Sequence, residues 1–274
     1  MLTVETRYAI DPETAKGMDT AALRKNFHAG ALFAEGEIRL IYTHYDRLIL
    51  GGVVPSGGEL VLDSVEATGT ASFLDRREMG ILNIGETGKV SAGGESWDVQ
   101  KGEILYLPMG SGPVSFSGPG RFYVTSAPAH RATKPVLVTP EMANRLELGS
   151  QAGINRRSLL QFIHPDIVDL NQLVMGYTIV HEGSAWNTMP AHTHDRRMEA
   201  YLYFDMDSEH RVFHMMGEGQ ETRHLVMAAE EAVISPPWSI HSGAGTSNYS
   251  FCWVMAGDNV DFTDMDMIAI GDMK

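Results

Sequence analysis

Residues 189–199 read MPAHTHDRRME, and the second half of this segment has a counterpart earlier in the chain, where residues 75–79 read DRREM. The offset between the two segments is 120 residues. Further on, GEILYLP at residues 102–108 parallels EEAVISP at residues 230–236, an offset of 128 that an eight-residue loop insertion explains. Self-similarity at a nearly constant offset is typical of a duplicated structural unit. We therefore predict that the chain consists of two related halves.

The regions around these segments contain short apolar or alternating runs, separated by clusters of Gly, Ser and Pro. In the first half the runs cover residues 39–42, 48–54, 79–84, 104–107 and 121–124. Similar runs appear again from about residue 173. Runs of this length and spacing favour a β-sandwich or a β-barrel. The sequence therefore predicts an all-β protein with two related β-barrels, in domains 1–135 and 136–274.

Only a few short helices are expected beside the strands. Asp19 is a suitable N-cap for a helix over residues 20–27, which starts with good helix formers. In the segment between the two halves, Thr139 could cap a second short helix that Pro140 begins.

The charge of the chain excludes several classes of partner. It has 35 acidic and 21 basic residues among 274, for a net charge of −14, a sign that opposes binding to the phosphates of nucleic acid. No stretch reaches the roughly 18 consecutive apolar residues of a membrane-spanning helix. The N-terminal MLTVETRYAID lacks the pattern of a signal peptide, and a single cysteine, Cys252, fits a reducing compartment. We predict a cytoplasmic globular protein without nucleic-acid or membrane partners.

Three histidines and one glutamate are concentrated in the second half: His192, His194, Glu199 and His241. Imidazole and carboxylate groups are typical donors to a divalent transition metal. His192 and His194 are two residues apart, so both side chains share one face of a strand. Glu199 follows at an odd spacing, so a turn or bulge across residues 195–197 must bring it to that face.

A proline-containing turn, SPPWSI, precedes His241 and can deliver it onto a neighbouring strand. In the first half, the positions that match the four donors are Ser72, Leu74, Met79 and Pro113. Since only the second half carries all four donors, we predict a metal site there. The competing interpretation is a structural cluster of polar residues.

The spacing H-x-H, four residues, Glu and a distal His resembles the metal motifs of the cupin superfamily. This resemblance would make the chain a bicupin, with two β-barrels of the jelly-roll type. Residues 189–199 and 234–243, the tail DFTDMD at 261–266 and RYA at 7–9 are similar to the 5-keto-4-deoxyuronate isomerase family, also called 4-deoxy-L-threo-5-hexosulose-uronate ketol-isomerase. This likeness runs nearly end to end. It implies an enzyme of bacterial pectin and uronate catabolism, usually a homohexamer. The implied cofactor is one Zn²⁺ per chain, held by His192, His194, Glu199 and His241.

The implied reaction interconverts 5-dehydro-4-deoxy-D-glucuronate and 3-deoxy-D-glycero-2,5-hexodiulosonate, an aldose–ketose isomerisation that requires no redox cofactor. It needs a general acid/base near the substrate. Tyr201 and Tyr203 share the face of Glu199 if their strand is regular, and we predict Tyr203 as the catalytic residue. Ordinary packing in the barrel is the alternative for both tyrosines.

The substrate is a keto-uronate, and its carboxylate requires a cation. Arginine suits a carboxylate because its guanidinium forms paired hydrogen bonds. Arg196 and Arg197 lie closest in sequence to the ligands, and Arg223 is a third candidate. We predict Arg197 as the substrate-binding residue.

Two other functions stay open on the sequence. Three histidines and a glutamate also serve oxygen chemistry on the same fold, which would make the chain an iron- or copper-dependent dioxygenase. The chain could also be a non-catalytic sugar-binding bicupin in which the metal only orders the barrel. Metal content, oxygen consumption and turnover of a uronate distinguish the three.

Overall fold

Strands dominate the computed structural model, which describes all 274 residues. In chain order the first elements are β1 (Leu2–Arg7), α1 (Pro12–Lys16), α2 (Thr20–Phe27), β2 (His28–Ala29), β3 (Glu37–Thr43), β4 (Ile49–Val54), β5 (Leu60–Leu62), β6 (Arg77–Asn83), β7 (Gly88–Ala92), β8 (Glu95–Val99), β9 (Ile104–Leu107), β10 (Val114–Ser117), β11 (Phe122–Pro128) and β12 (Val136–Val138). They are followed by β13 (Asn144–Leu148), β14 (Arg157–Ile163), β15 (Val174–Val180), β16 (Trp186–Asn187), β17 (His192–Thr193), β18 (Arg197–Phe204), β19 (Val212–Glu218), β20 (Glu221–Met227), β21 (Ala232–Ser235), β22 (Ser242–Gly245), β23 (Ser250–Gly257) and β24 (Asp266–Met267). Two short 3-10 helices cover Glu66–Thr68 and Ile270–Asp272. The predicted all-β class with few helices is confirmed.

The chain divides into two compact units. Unit 1 comprises Met1–Arg7, Ala31–Asn144 and Gln161–Met175, and unit 2 comprises Tyr8–Gly30, Arg145–Leu160 and Gly176–Lys274. The units therefore interleave along the chain, which a single boundary between residues 135 and 136 does not describe. One reason is that β2 leaves the N-terminal part of the chain and pairs with β21 of unit 2, with His28 opposite Val233.

The two units repeat one strand topology. Unit 1 has a seven-stranded sheet in the order β1-β3-β4-β11-β6-β9-β12 and a four-stranded sheet in the order β5-β10-β7-β8. Unit 2 has the corresponding orders β13-β14-β15-β23-β18-β21-β2 and β16-β22-β19-β20. The strands β6 and β18, which begin within the two DRR segments, occupy equivalent places, and so do β9 and β21. The repeat predicted from the sequence is thus confirmed in the topology.

The interior of unit 1 is apolar. Leu74 and Met79, which match His194 and Glu199 of unit 2, are fully buried among side chains from both sheets of the unit. Ile38 on β3 and Val90 on β7 belong to the same core. Unit 1 therefore closes as a packed barrel without a ligand group at these positions.

Both α-helices lie in unit 2. The predicted N-cap of α2 is confirmed, because the Asp19 carboxylate accepts a hydrogen bond from the backbone N–H of Ala22 at 2.8 Å. The predicted helix after Thr139 is wrong. The Thr139 carbonyl accepts hydrogen bonds from Met142 and Ala143 in a single turn, and the chain then continues directly into β13. No helix of the chain combines the length and the apolar character needed to cross a bilayer.

Candidate metal centre

The four predicted ligands come from three segments of unit 2. His192 lies on β17 and His194 directly follows it, Glu199 lies on β18, and His241 directly precedes β22. The turn expected between His194 and Glu199 is present, closed by a hydrogen bond from Arg197 N–H to the His194 carbonyl at 2.9 Å. This turn brings the odd-spaced Glu199 to the side of the two histidines.

The ligand atoms of these residues converge on one buried point. All four lie within 4.8 Å of one another. The Nε2 atom of His192 is 3.1 Å from Nε2 of His194 and 2.9 Å from Nε2 of His241. The Oε2 atom of Glu199 is 3.0 Å from Nε2 of His194 and 2.9 Å from Nε2 of His241. Three ring nitrogens and one carboxylate oxygen around a common centre form a donor set that suits a divalent cation.

The electrostatics of the cluster fit a metal. Burial, together with the neighbouring His241 and His194, lowers the pKa of His192 to about 2, so this ring is neutral and has a free lone pair. At Glu199, burial opposes ionisation, but the imidazoles of His241 and His194 beside its carboxylate outweigh burial and lower its pKa. Neutral imidazole and ionised carboxylate are the protonation states that metal binding requires.

A cavity of about 220 Å³ adjoins the cluster, and His192, His194 and Glu199 form part of its wall. Most of the remaining wall is apolar, with aromatic and methionine side chains. The polar exceptions are Arg157, Thr178, Thr188 and Tyr201. A pocket with an apolar wall and a few polar groups is typical of a small-molecule site.

The one cation in the cavity wall is Arg157 on β14. One of its nitrogens, Nη1, donates to the backbone carbonyl of Asn155 at 2.8 Å. Burial lowers the pKa of Arg157, yet a guanidinium keeps its charge at neutral pH. Arg157 and Thr178 were not identified as cavity residues from the sequence. Both lie on strands distant in sequence from the ligands, so no local pattern connects them to the site.

Tyr201 and Tyr203 lie in different surroundings although they share a face of β18. The hydroxyl of Tyr201 is 3.0 Å from Oγ1 of Thr188, and its ring lies in the cavity wall. Tyr203 is fully buried outside that wall, and its hydroxyl is 2.8 Å from Nδ1 of His214. Burial raises the pKa of both phenols well above 10, so both keep their protons at neutral pH. The catalytic role of Tyr203 stays a prediction.

The predicted substrate-binding residue, Arg197, is fully buried and is not part of the cavity wall. Its Nη2 donates to the backbone carbonyl of Asp264 at 2.8 Å, while Nε and Nη1 have no hydrogen-bond partner. Of the other two candidates, Arg196 forms ion pairs with Asp264, and Arg223 pairs with Glu221 at 2.7 Å on β20. The substrate-binding role of Arg197 stays a prediction as well.

Acid should destabilise the metal-free protein through His214. Burial, with the neighbouring His241, lowers the pKa of His214 to about 3. The unfolded chain takes up this proton near pH 6.5 and the folded chain does not. Between pH 6.5 and the folded pKa, the unfolding free energy should therefore fall by about 1.4 kcal/mol per pH unit from this group.

Unfolding midpoints of the metal-free protein between pH 7.5 and 4.5 measure this slope. We expect a shallower acid limb for His214→Gln, and the parent slope for His210→Gln, which replaces a partly exposed ring. Equal slopes in all three proteins would contradict the assignment.

The chain is similar to one family of proteins over nearly its whole length. The sequence profile of the KduI/IolB family matches residues 31–270. The chain is 62% identical over 274 residues to 4-deoxy-L-threo-5-hexosulose-uronate ketol-isomerase of Cereibacter sphaeroides, covering 100% of both chains. It is 60% identical to the protein of the same name from Agrobacterium fabrum, again over 100% of both. Identity to that of Shouchella clausii is 48%, over 99% of this chain and 100% of the relative.

Solved structures of low sequence identity share the fold. An IolB-like protein from Salmonella typhimurium superposes with a TM-score of 0.72 at 15% identity, covering 89% of this chain and 97% of the other. Oxalate decarboxylase of Bacillus subtilis superposes with a TM-score of 0.54 at 11% identity, covering 78% and 70%. These likenesses support the bicupin architecture predicted from the sequence.

Proposed function

The chain belongs to the KduI/IolB family, and on this premise we propose that it is a metal-dependent 4-deoxy-L-threo-5-hexosulose-uronate ketol-isomerase. The observation that carries the proposal is the cluster of four buried ligand atoms, three of whose residues line a mostly apolar cavity. The reaction is taken from the names of the full-length relatives, and the cluster is the site at which we expect it to occur.

The isomerisation shifts one carbon-bound proton from the hydroxyl-bearing carbon to the neighbouring aldehyde carbon. A second proton moves between the two oxygens, so no electrons leave the substrate. Negative charge develops on oxygen along the way, and a bound metal ion would stabilise that charge. We propose Zn²⁺ as this ion, held by His192, His194, Glu199 and His241, because three imidazoles and a carboxylate suit zinc.

For the proton transfer between oxygens we propose Tyr201 in place of Tyr203. The Tyr201 hydroxyl keeps its proton and lies at the cavity, whereas the Tyr203 hydroxyl is engaged with His214. A neutral phenol within reach of a substrate oxygen can give it a proton and recover one later. The ring of Tyr201 also packs edge-on against His241, with centroids 5.5 Å apart, which fixes the phenol beside the metal ligands.

For the substrate carboxylate we propose Arg157 as the primary partner. Arg157 is the cation of the cavity wall, and most of the other wall residues are apolar. Apart from the metal centre, the wall therefore offers a substrate carboxylate no other charged partner. In such surroundings a guanidinium–carboxylate pair is strong and directional. Arg197 is a second candidate, because two of its buried donors have no partner.

The resemblance to the isomerase family also supports three further proposals. We propose that the protein acts in pectin and uronate catabolism, that it is cytoplasmic, and that it assembles as a homo-oligomer, specifically a hexamer. Unit 1 has an apolar core and none of the ligand residues, so we propose a role in assembly for it.

A turnover assay in deuterium oxide tests the function. Metal-loaded protein should convert the aldose form of the keto-uronate to the ketose form under anaerobic conditions, without nicotinamide. If the proton passes through a protein group, deuterium from solvent should appear at the receiving carbon, which mass spectrometry detects. Metal-stripped protein is the control and should be inactive. A metal-loaded protein that leaves the substrate unchanged without oxygen, but consumes oxygen with it in air, would be a dioxygenase instead.

A further inference from the structure

The end of the chain returns to the metal centre in unit 2. Residues 258–268, which we call the C-terminal strap, follow β23 and include β24. Within the strap, β24 pairs with β17, so that Met267 lies opposite the ligand His192. The backbone N–H of Ile268 donates to the Ala191 carbonyl at 2.9 Å. This two-stranded sheet has no counterpart in unit 1, which also lacks the ligands.

The strap contacts the ligand His194 directly. The backbone carbonyl of Asp264 lies 2.9 Å from Nδ1 of His194 and also accepts from Nη2 of Arg197 at 2.8 Å. A carbonyl only accepts hydrogen bonds, so Nδ1 of His194 must carry the proton. This tautomer leaves the Nε2 lone pair toward the ligand cluster. The Nη2 atom of Arg197 also lies 3.3 Å from Nδ1 of His194, but its shorter hydrogen bond, of 2.8 Å, goes to the Asp264 carbonyl.

A set of ion pairs holds Asp264 in place. Nε of Arg196 donates to both carboxylate oxygens of Asp264, at 2.8 and 2.9 Å. The Nη2 atom of Arg196 is 2.9 Å from the carboxylate of Asp266, and the amide of Asn259 donates to Asp264 at 2.6 Å. Because Arg196 belongs to the turn that follows His194, these bonds tie the strap to the backbone that carries the ligand.

We propose that Arg196 and Asp264 are positioning residues of the metal centre, and that the strap sets the tautomer and ring orientation of His194. The proposal rests on the metal site of the proposed function. Partners that hold the second nitrogen of a ligating histidine typically change metal affinity 10- to 100-fold when they are removed. An exposed ion pair, by contrast, contributes little to folding stability. The two roles therefore predict different results.

Zinc affinity of the full-length protein measures the positioning role. Metal-free Arg196→Met and Asp264→Asn proteins would be titrated with Zn²⁺ in competition with a chromogenic chelator. We expect both to bind zinc about 10- to 100-fold more weakly than the parent. Arg196→Lys, which keeps the charge but loses the forked geometry, should fall between them and the parent. The visible spectrum of the Co²⁺-loaded proteins should change in the same order, because it reports the ligand geometry.

The matched control is Arg131→Met. It removes an arginine–aspartate pair of the same type, with Asp169, from unit 1, where no ligand lies. This variant should keep the parent zinc affinity and cobalt spectrum. Thermal unfolding of the metal-free proteins reports any general loss of stability, and Asp266→Asn provides a milder variant if Arg196→Met does not fold.

Parent-like zinc affinity and cobalt spectra in Arg196→Met and Asp264→Asn would overturn the proposal, and so would an equal loss in Arg131→Met. Because both readouts are metal binding rather than turnover, they stand apart from the isomerase assay. If the protein fails the isomerase assay but its variants show the expected order of zinc affinities, the proposed role of the strap stands and only the proposed reaction is rejected.

Discussion

Replacing His192 and His241 together by alanine should empty the metal centre. The double variant keeps only two of the four donors, and two donors do not hold zinc as four do. We expect zinc to fall to background after dialysis. The isomerisation rate should fall by more than about 100-fold, because loss of a residue that only hydrogen-bonds to a metal ligand already costs up to about 100-fold. Elemental analysis and the turnover assay measure the two effects.

The control for this loss is His210→Ala, which removes a partly exposed histidine of the same unit. It should retain full zinc content and full activity. Circular dichroism establishes that the double variant has kept its strands. Full zinc content in the folded double variant would falsify the ligand assignment.

Removing the hydroxyl of Tyr201 should have the second largest effect. Tyr201→Phe keeps the ring in the cavity wall but loses the proposed proton donor, so we expect kcat to fall about 10²- to 10⁴-fold, the usual contribution of a general acid or base. Zinc content should stay at the parent level, because the hydroxyl contacts Thr188 and not a ligand. Steady-state kinetics with metal analysis of the same samples tests both statements.

Tyr203→Phe is the matched comparison, two residues further along the same strand. Its hydroxyl is hydrogen-bonded to His214, so its removal should cost about 1 kcal/mol of stability and leave kcat nearly unchanged. The reverse order, with a large loss of kcat for Tyr203→Phe and a small one for Tyr201→Phe, would reinstate the residue predicted from the sequence and reject the assignment made from the cavity.

Much of the fold could be predicted because its signals are local. The five apolar runs of the first half coincide, within a few residues, with β3, β4, β6, β9 and β11. The two repeat offsets mark strands that occupy equivalent places in both units. The Thr139 helix failed because Thr139 and Pro140 are equally suited to a single turn, and the β-pairing that follows prevents its extension.

The grouping of the four donors could also be predicted from the sequence, because the position of each donor depends on a local feature of the chain. The spacing of two places His192 and His194 on one side, the turn at residues 195–196 brings Glu199 to the same side, and two prolines end a strand before His241. Unit 1 provides the internal comparison, because Leu74 and Met79 at the matching positions belong to its hydrophobic core.

What only the tertiary structure decided is how distant segments meet around those donors. Alternation along β18 places Tyr201 and Tyr203 on one face, but only the depth of each residue in the barrel determines which hydroxyl reaches the cavity. Arg157 arrives from another strand of the sheet, and the strap joins His194 to Asp264 across 70 residues. β2 leaves the N-terminal part of the chain to complete the sheet of unit 2. Such contacts depend on strand order and register, which are set by packing between segments distant in sequence and leave no periodic trace in any one of them.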